Sequence, residues 1–358
     1  MTEGRRLATR IDGRLPVGQT LAGRVGDVLC RRNALADAPR TGRLPTPRAP
    51  VPAPAPLRVG VIANGRSHRN LKQGMRLDHW PDVSYAAPDT FEALEETLRD
   101  YAARDIGLLV VNGGDGTLRD VMTAAARVFE TLPAMAIIPS GKTNALALDL
   151  GIPDDWTVRD AIAAARAGRF VQRAPVEILR GQDRRPAARG FLLGMGGFVR
   201  ATELAQSTHR VGAFNGVAVA LSLGWSMAQT MFGGADNEWR RGTTIRIGED
   251  GRAPVTRQLY LLLASTLERM PVGLKPFGRP RPGLKLLTVD APPRHLFRML
   301  SPILTGTAGS PAVAKGFART DPHQLRVTAD EGFILDGELF AGGDLTIRAG
   351  APIRFAAP

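Results

Sequence analysis

Apolar runs and helical patterns alternate from Leu57 to about residue 172. Continuous apolar runs, each bounded by turn residues, predict buried strands at 57–64, 105–112 and 134–141. Apolar residues at helical spacing predict helices at 90–104, 118–129, 143–150 and 158–167. Because alternating strands and helices form parallel, layered sheets, this pattern predicts an α/β domain with its ligand site beyond the carboxyl ends of the strands.

After about residue 173 the pattern changes to short, strand-like segments separated by turn signals. They occur at 175–179, 190–193, 243–247, 258–264, 284–289, 324–328, 332–335 and 344–347. Two helical stretches, 199–209 and 215–230, interrupt the series. We therefore predict the fold class α/β plus β. An N-terminal layered α/β domain spans 57–172, and a mostly β, sandwich-like domain spans 173–358.

Residues 1–56 differ in composition from the rest of the chain. They contain ten arginines and four acids, and six of the last sixteen positions are prolines. Proline-rich sequence is extended and does not pack as an element of a core. We therefore predict a basic, disordered tail and linker ahead of the folded part, without a function that the sequence identifies.

Charge and composition narrow the classes of partner. The formal net charge of +13 favours anionic partners such as nucleotide phosphates or lipid headgroups. No long basic run interleaved with aromatic residues occurs, so we predict no nucleic-acid partner. The single cysteine, Cys30, excludes an intramolecular disulfide and a cysteine metal site. No apolar run reaches the roughly 18 residues of a membrane span, and no apolar region follows the first arginines. These features predict a cytoplasmic protein.

A glycine-rich loop is the strongest chemical signal. The second predicted strand runs into Gly113, Gly114, Asp115, Gly116 and Thr117, and a predicted helix follows. Glycine lets the backbone approach a ligand closely, and a helix N-terminus presents free N–H groups to an anion. Asp115 adds a carboxylate for Mg²⁺ or for hydroxyl groups, and Thr117 is placed to cap the helix or contact a phosphate. The loop therefore predicts a phosphate-binding site.

This strand–loop–helix motif resembles the catalytic domain of diacylglycerol kinases, which sphingosine and ceramide kinases share. The resemblance implies that the loop binds the phosphates of ATP. It also implies that 57–172 is the nucleotide-binding domain and that 173–358 is the lipid-binding domain. In this family the first strand ends in Asn-Pro-x-Ser-Gly, and here Asn64 and Ser67 match while Gly65 and His68 depart. Asn64 and Ser67 are thus predicted nucleotide contacts.

A third loop carries the resemblance further. The family pattern Pro-x-Gly-Thr-x-Asn is met here at Pro139, Gly141 and Asn144, with Lys142 in place of the threonine. The resemblance places Gly141, Lys142 and Asn144 at the nucleotide. A lysine there pairs with phosphate as a point charge, although a solvated surface lysine is the alternative.

Two acidic residues near the C-terminus complete the motif set. Asp336 and Glu338 flank Gly337 in the segment FILDGELF. By itself this segment also fits an ordinary turn. In the lipid kinases that it resembles, an acid here accepts the proton of the lipid hydroxyl, so Asp336 or Glu338 is the predicted base and the choice stays open.

Taken with the resemblance, these motifs predict an ATP- and Mg²⁺-dependent lipid kinase that meets its substrate at a membrane surface as a peripheral protein. Asp115 is the predicted metal contact. Two rivals remain: a kinase of the NAD kinase type, which has a similar glycine loop, and a catalytically silent nucleotide- or lipid-binding protein. The sequence leaves open the identity of the lipid and whether the protein forms a homo-oligomer.

Overall fold

The structure, a computed structural model, describes residues 56–64, 82–202, 241–293, 296–307 and 316–358. The first part of the chain forms five strands: β1 Val59–Ala63, β2 Val83–Ala86, β3 Leu108–Gly113, β4 Ala134–Pro139 and β5 Phe170–Arg173. Its helices are α1 Phe91–Ala103, α2 Asp115–Val128, α3 Ala145–Leu150 and α4 Val158–Arg166.

The rest of the chain is rich in strands. They are β6 Val176–Arg180, β7 Ala188–Gly190, β8 Leu192–Gly196, β9 Thr243–Glu249, β10 Val255–Ser265, β11 Lys285–Asp290, β12 Phe317–Thr320, β13 Gln324–Ala329, β14 Phe333–Leu335, β15 Glu338–Phe340, β16 Gly343–Ala349 and β17 Ile353–Ala356. A helix, α5 Leu296–Leu304, precedes β12. Residues 197–202 are also helical.

The first sheet has the strand order β2-β1-β3-β4-β17-β5 and is parallel except where β5 pairs antiparallel with β17. Successive residues of β3 face opposite sides, as the strand repeat requires. Leu109 and Val111 pack with α1 and α2, whereas Leu108 and Val110 pack with α4. Helices therefore cover both faces, and the continuous apolar strands of the sequence are explained by burial on both sides.

Helix boundaries follow local sequence signals. The side chain of Thr90 caps α1 by accepting a hydrogen bond from the backbone N–H of Ala93 at 3.1 Å. Thr157 and Asp160 form a reciprocal capping box at the start of α4. In contrast, no side chain caps α2, whose N-cap residue is Gly114. The first turn of α2 therefore lacks the usual side-chain acceptor for its free N–H groups.

The second sheet has eleven strands, in the order β15-β14-β8-β10-β9-β13-β16-β6-β7, with β11 also paired to β10 and β12 paired to β11. Its pairings are antiparallel. One hydrophobic core joins residues from distant strands, for example Ile178 on β6, Leu262 on β10 and Phe333 on β14. The sheet thus curves around a shared core, which gives this region a half-barrel form.

The predicted fold class is confirmed: a parallel α/β domain is followed by an antiparallel β domain. Three elements of the first sheet were not predicted: β2, β5 and β17. β17 comes after every strand of the second sheet, yet it pairs with β4 and β5. Helix α2 begins at Asp115, three residues before the predicted start, so Asp115 belongs to its first turn.

Several segments predicted from the sequence are not among the described residues. The predicted helix 215–230, most of the predicted helix 199–209 and the tail 1–55 lie outside the described residues. Within the described part, no helix has the length and apolar character that crossing a membrane requires.

Candidate functional site

The glycine loop and the third loop meet backbone to backbone. A Cβ atom added to Gly141 would lie 2.5 Å from the Cα atom of Gly114, and one added to Gly114 would lie 3.0 Å from the Cα atom of Gly141. The backbone N–H of Ser140 also donates to the carbonyl of Gly113 at 3.3 Å. Glycine is required at both positions because any side chain would push the two loops apart.

Asn64 closes the other side of the glycine loop. It follows β1 directly, and its Nδ2 donates to Oγ1 of Thr117 at 3.0 Å. Thr117 Oγ1 therefore holds the end of β1 against the first turn of α2. Ser67, the other predicted contact in this segment, lies outside the described residues.

A cleft with a volume of about 310 Å³ opens beside this contact. Its walls are the end of β1, the loop after β2 and the first turns of α1 and α2. The polar side chains that line it are Asn64, Asp89, Thr90, Thr117 and Asp120. A cleft at the carboxyl ends of parallel strands, beside an uncapped helix N-terminus, is a common site for a phosphate-bearing ligand.

The third loop uses Asn144 to hold its own shape. Asn144 has a positive φ of 48°, and its side chain accepts from the N–H of Gly141 at 2.9 Å and donates to the carbonyl of Gly141 at 3.0 Å. The amide is therefore committed to the turn. Lys142 is exposed at the tip of this loop, where its ammonium group can reach a ligand without displacing another contact.

Asp115 points from the first turn of α2 towards the start of α3. Burial raises the pKa of its carboxyl group above the ordinary value, while hydrogen bonds from the backbone of Ala145, Leu146 and Asn144 act in the opposite direction. The carboxylate thus occupies the N-terminus of α3, where the free N–H groups favour a negative charge. Asp115 joins the glycine loop to the third loop, as well as adding negative charge to the site.

Asp336 and Gly337 form the two-residue turn between β14 and β15. Their φ angles are +46° and +85°, and Leu335 pairs with Glu338 across the hairpin. Both angles are positive, as a tight Asp-Gly hairpin requires. The sequence segment is therefore both an ordinary turn and, by its position in the fold, a candidate catalytic element.

Backbone donors hold the carboxylate of Asp336 in one orientation. Its Oδ1 accepts from the N–H groups of Phe191 at 3.1 Å and Leu192 at 2.9 Å, and its Oδ2 accepts from Phe191 at 2.9 Å. A Cβ atom at position 190 would lie 2.5 Å from Oδ2, so Gly190 makes room for this approach.

Electrostatics separate the two candidate bases. Burial, followed by the negative charge of Asp115, raises the pKa of Asp336 to about 7, and the hydrogen bonds from Leu192 and Phe191 and the charge of Arg119 limit the rise. Glu338 is different, since its side chain is 65% exposed. Of the pair, Asp336 is held in place and has the pKa of a general base that works near neutral pH.

Arg119, on α2, was not singled out by the sequence. It is buried and donates to Asp120 Oδ1 through Nε at 3.0 Å and through Nη2 at 2.8 Å. Its Nη1 donates to the carbonyl of Leu335 at 3.3 Å and lies 4.0 Å from Glu338 Oε2. The guanidinium group also stacks over Phe340 at 5.3 Å. Arg119 thus ties α2 to the hairpin that carries Asp336.

The glycine loop, the loop after β4 and the turn at Asp336 therefore meet in one region, around the first turns of α2 and α3. Residues 60–176 match the family model of the diacylglycerol kinase catalytic domain. The resemblance that the three motifs predicted is confirmed.

Two curated relatives carry lipid kinase names. The chain is 30% identical over 130 residues to "Probable lipid kinase YegS-like" of Klebsiella pneumoniae (strain 342), which is 36% of this chain and 39% of that protein. It is 31% identical over 110 residues to "Probable lipid kinase YegS" of Escherichia coli O1:K1 / APEC, which is 29% of this chain and 37% of that protein. The matched region therefore spans less than two fifths of the length of these relatives.

Solved structures extend the likeness to both domains. A putative diacylglycerol kinase from Bacillus anthracis str. Sterne matches 84% of this chain and 97% of its own, with a TM-score of 0.60 and 16% sequence identity. At this identity the comparison establishes the shared fold, including the antiparallel second domain.

The donor set at the site fits Mg²⁺ that arrives with a nucleotide. No group of three or more acidic, histidine or cysteine side chains forms a metal cage among the described residues. Mg²⁺ is often held by one or two carboxylates together with substrate phosphates, and Asp115 is a carboxylate of this kind in the glycine loop.

Sequence motifs located most of the site, but they missed the residues that connect its parts. Arg119, Phe191 and Gly190 belong to this group. One signal was present: Arg119 adjoins Leu118 and is followed by the buried Val121 and Met122, so a charged residue stands among the buried apolar positions of α2. Backbone donors such as Phe191 leave no signal in the residue types.

Proposed function

We propose that this protein is a kinase that transfers the γ-phosphoryl group of ATP to a hydroxyl group of a diacylglycerol-like or sphingoid-like lipid. The observation that carries the proposal is the carboxylate of Asp336, which is oriented by two backbone N–H groups and has its pKa raised to about 7 in part by the glycine-loop residue Asp115. A protein that only binds nucleotides needs no such base beside its phosphate cradle.

The glycine loop is proposed to hold the phosphates of ATP. Gly113 and Gly114 allow close approach of the backbone, and the uncapped first turn of α2 provides N–H donors and the positive end of its dipole. Lys142 is exposed at the neighbouring tip and adds a mobile positive charge. The nucleoside is assigned to the cleft beside Asn64 and Thr117.

Asp336 is proposed as the general base, in preference to Glu338. Its carboxylate keeps unused lone pairs while the N–H groups of Phe191 and Leu192 fix its orientation. The lipid O–H bond breaks as its proton moves to Asp336, the lipid oxygen bonds to the γ-phosphorus, and the bond from that phosphorus to the bridging oxygen breaks to leave ADP. Arg119 keeps the hairpin in register with α2 during this step.

Asp115 is the proposed Mg²⁺ contact, together with phosphate oxygens of ATP. Bound Mg²⁺ supplies neutralisation of the phosphate charge. The protein's own residues supply position: the paired loops hold the nucleotide, and the β14–β15 turn holds the base. Because phosphoryl transfer depends mainly on positioning and electrostatics, this division of roles is sufficient for catalysis.

The test is incubation of the full chain with labelled ATP, Mg²⁺ and a total lipid extract, with NAD as a parallel acceptor. We expect a labelled lipid, and we expect Asp336→Asn to lower the rate by at least about a hundredfold because the base is lost. Glu338→Gln is the matched control in the same turn and should retain most of the activity. Phosphorylation of NAD alone, or full activity of Asp336→Asn, would contradict the proposal.

A further inference from the structure

A second cavity lies away from the nucleotide cleft, between α3 and the segment that follows β10. Its volume is about 300 Å³, and we call it the α3 pocket. Most of its wall is apolar, and the buried or half-buried part consists of Leu267, Met270, Pro271, Pro276 and Phe277. Neither the glycine loop nor the Asp336 turn lines it.

Two leucines of the α3 pocket are exposed. Leu148 on α3 is 46% exposed, and Leu274 on the opposite side is 38% exposed. They are two of the five large apolar side chains exposed in the described part of the chain, and they share one cavity. Leu146 and Leu150, on the same helix, are buried, so the exposure of Leu148 is specific to this face.

The rim of the α3 pocket is positively charged. Arg269, Lys275 and Arg279 line it and are exposed, and none of them forms an ion pair with another described residue. The one acid in the lining, Glu268, is paired with Arg173 at 3.3 Å. The rim therefore presents positive charge to an outside partner.

A buried cation lies beneath this rim. Lys285 is 2% exposed, and its Nζ donates to the carbonyl oxygens of Arg281 at 3.0 Å and Gly283 at 2.9 Å. No carboxylate lies within ion-pair distance of this ammonium group among the described residues. Its charge adds to the positive potential of the pocket.

The geometry points to an anionic bilayer surface as the partner: we propose that the α3 pocket docks there, with Leu148 and Leu274 entering the interface and Lys275 and Arg279 contacting lipid phosphates. Exposed leucines within a ring of unpaired cations match both the apolar interior and the anionic surface of such a membrane.

The α3 pocket lies close to the elements of the proposed active site. The role of membrane docking in catalysis rests on the proposed lipid kinase function. Leu148 lies three residues, or about 5 Å along the helix, beyond Ala145, where the Asp115 carboxylate occupies the start of α3. On the other side, Ser265 donates to the carbonyl of Phe191 at 2.8 Å, two residues before Leu267 enters the pocket lining. Docking at the α3 pocket thus holds the glycine loop with Asp115, and the turn with Asp336, close to the bilayer.

The test is sedimentation of the full chain with vesicles of phosphatidylcholine, alone or mixed with phosphatidylglycerol. We expect binding to the mixed vesicles and a partition coefficient lower by at least about 30-fold for Lys275→Glu/Arg279→Glu, since each lost cation contributes about fivefold and each added carboxylate is repelled by the anionic surface. Leu148→Ser/Leu274→Ser should also weaken binding to the same vesicles. Because this loss is of apolar contact and not of charge, its size should be the same at low and at high salt.

The matched control is Arg184→Glu/Arg185→Glu, which makes the same change of charge in the exposed loop between β6 and β7. All variants keep the ten arginines of residues 1–56, so those residues contribute equally to each measurement. Equal losses in the control and the pocket variants, or binding only to dispersed amphiphile, would overturn the proposal.

Activity measurements separate this inference from the kinase proposal. With the acceptor identified in the total lipid extract dispersed in detergent, Lys275→Glu/Arg279→Glu should match the native rate. With the same acceptor carried in the mixed vesicles, its rate should fall with binding. Vesicle binding that depends on the pocket, together with no labelled lipid from the total extract, would refute the kinase function and leave the docking surface intact. Thermal unfolding of each variant establishes that the fold is retained.

Discussion

Replacing Asp336 by asparagine should remove activity and stabilise the fold at alkaline pH. The pKa of Asp336 is raised from 3.8 to about 7 in the folded protein, mainly by burial and by the charge of Asp115. The unfolded chain releases this proton near pH 4, whereas the folded protein holds it to about pH 7. Stability from this group is therefore complete below pH 4 and is lost as the pH rises to about 7.

The magnitude follows from the shift. Three pKa units correspond to about 4 kcal/mol once the group is ionised in both states, and about 2.5 kcal/mol of this accumulates between pH 5 and pH 8. In Asp336→Asn, Oδ1 can still accept from the N–H groups of Phe191 and Leu192, and the side chain carries no charge. The amide nitrogen replaces Oδ2 beside the Phe191 N–H, and the cost of this donor–donor contact is the same at both pH values. Relative to the native protein, Asp336→Asn should thus gain about 2.5 kcal/mol of unfolding free energy between those two pH values.

The assay is urea unfolding of the native and Asp336→Asn proteins at pH 5 and pH 8, in EDTA and without nucleotide. The difference between the proteins is compared at the two pH values, so titrations common to both cancel. Glu338→Gln, a change of the same kind at a side chain that is 65% exposed, serves as the control and should give one offset at both pH values. A difference for Asp336→Asn that does not grow with pH would refute the electrostatic argument.

Three further predictions concern catalysis and the contacts between loops. The kcat/KM for the lipid should rise with pH through an apparent pKa near 7, because Asp336 must be deprotonated to act as base; a flat profile from pH 5 to pH 9 would contradict this role. Gly141→Ala should raise the KM for ATP at least about tenfold and destabilise the fold by about 1–3 kcal/mol, measured by steady-state kinetics and urea unfolding, because its Cβ would lie 2.5 Å from Gly114 Cα. Arg119→Met should cost about 2 kcal/mol of unfolding free energy and lower kcat more than it raises KM, since the charged hydrogen bond to the carbonyl of Leu335 is lost. Arg119→Lys should recover part of the stability and part of kcat. Equal values for the Met and Lys variants would argue against the contact.

Local patterns were sufficient for the elements that are buried on both faces or capped by their own residues. The predicted strand 105–112 corresponds to β3 and is a continuous apolar run. The capping residue Thr90 directly precedes α1 in the sequence, so this helix start has a local signal. Short strands at the sheet edges, such as β2 and β5, have four residues each and only partly buried patterns, so their periodicity is weak. Their pairing depends on neighbours that are distant in sequence.

The sequence by itself determined the α/β-plus-β fold class and the residue types of the glycine loop and the Asp-Gly turn, because both depend on local periodicity and backbone freedom. Only the tertiary structure decided that these segments meet. It directs Asn144 into its own loop, buries Arg119 between α2 and the hairpin, raises the pKa of Asp336 and leaves Glu338 exposed. Burial and charge proximity are properties of the assembled chain, so no residue pattern contains them. The return of β17 to the first sheet has the same cause, since strand pairing is decided by contacts with β4 and β5 rather than by order along the chain.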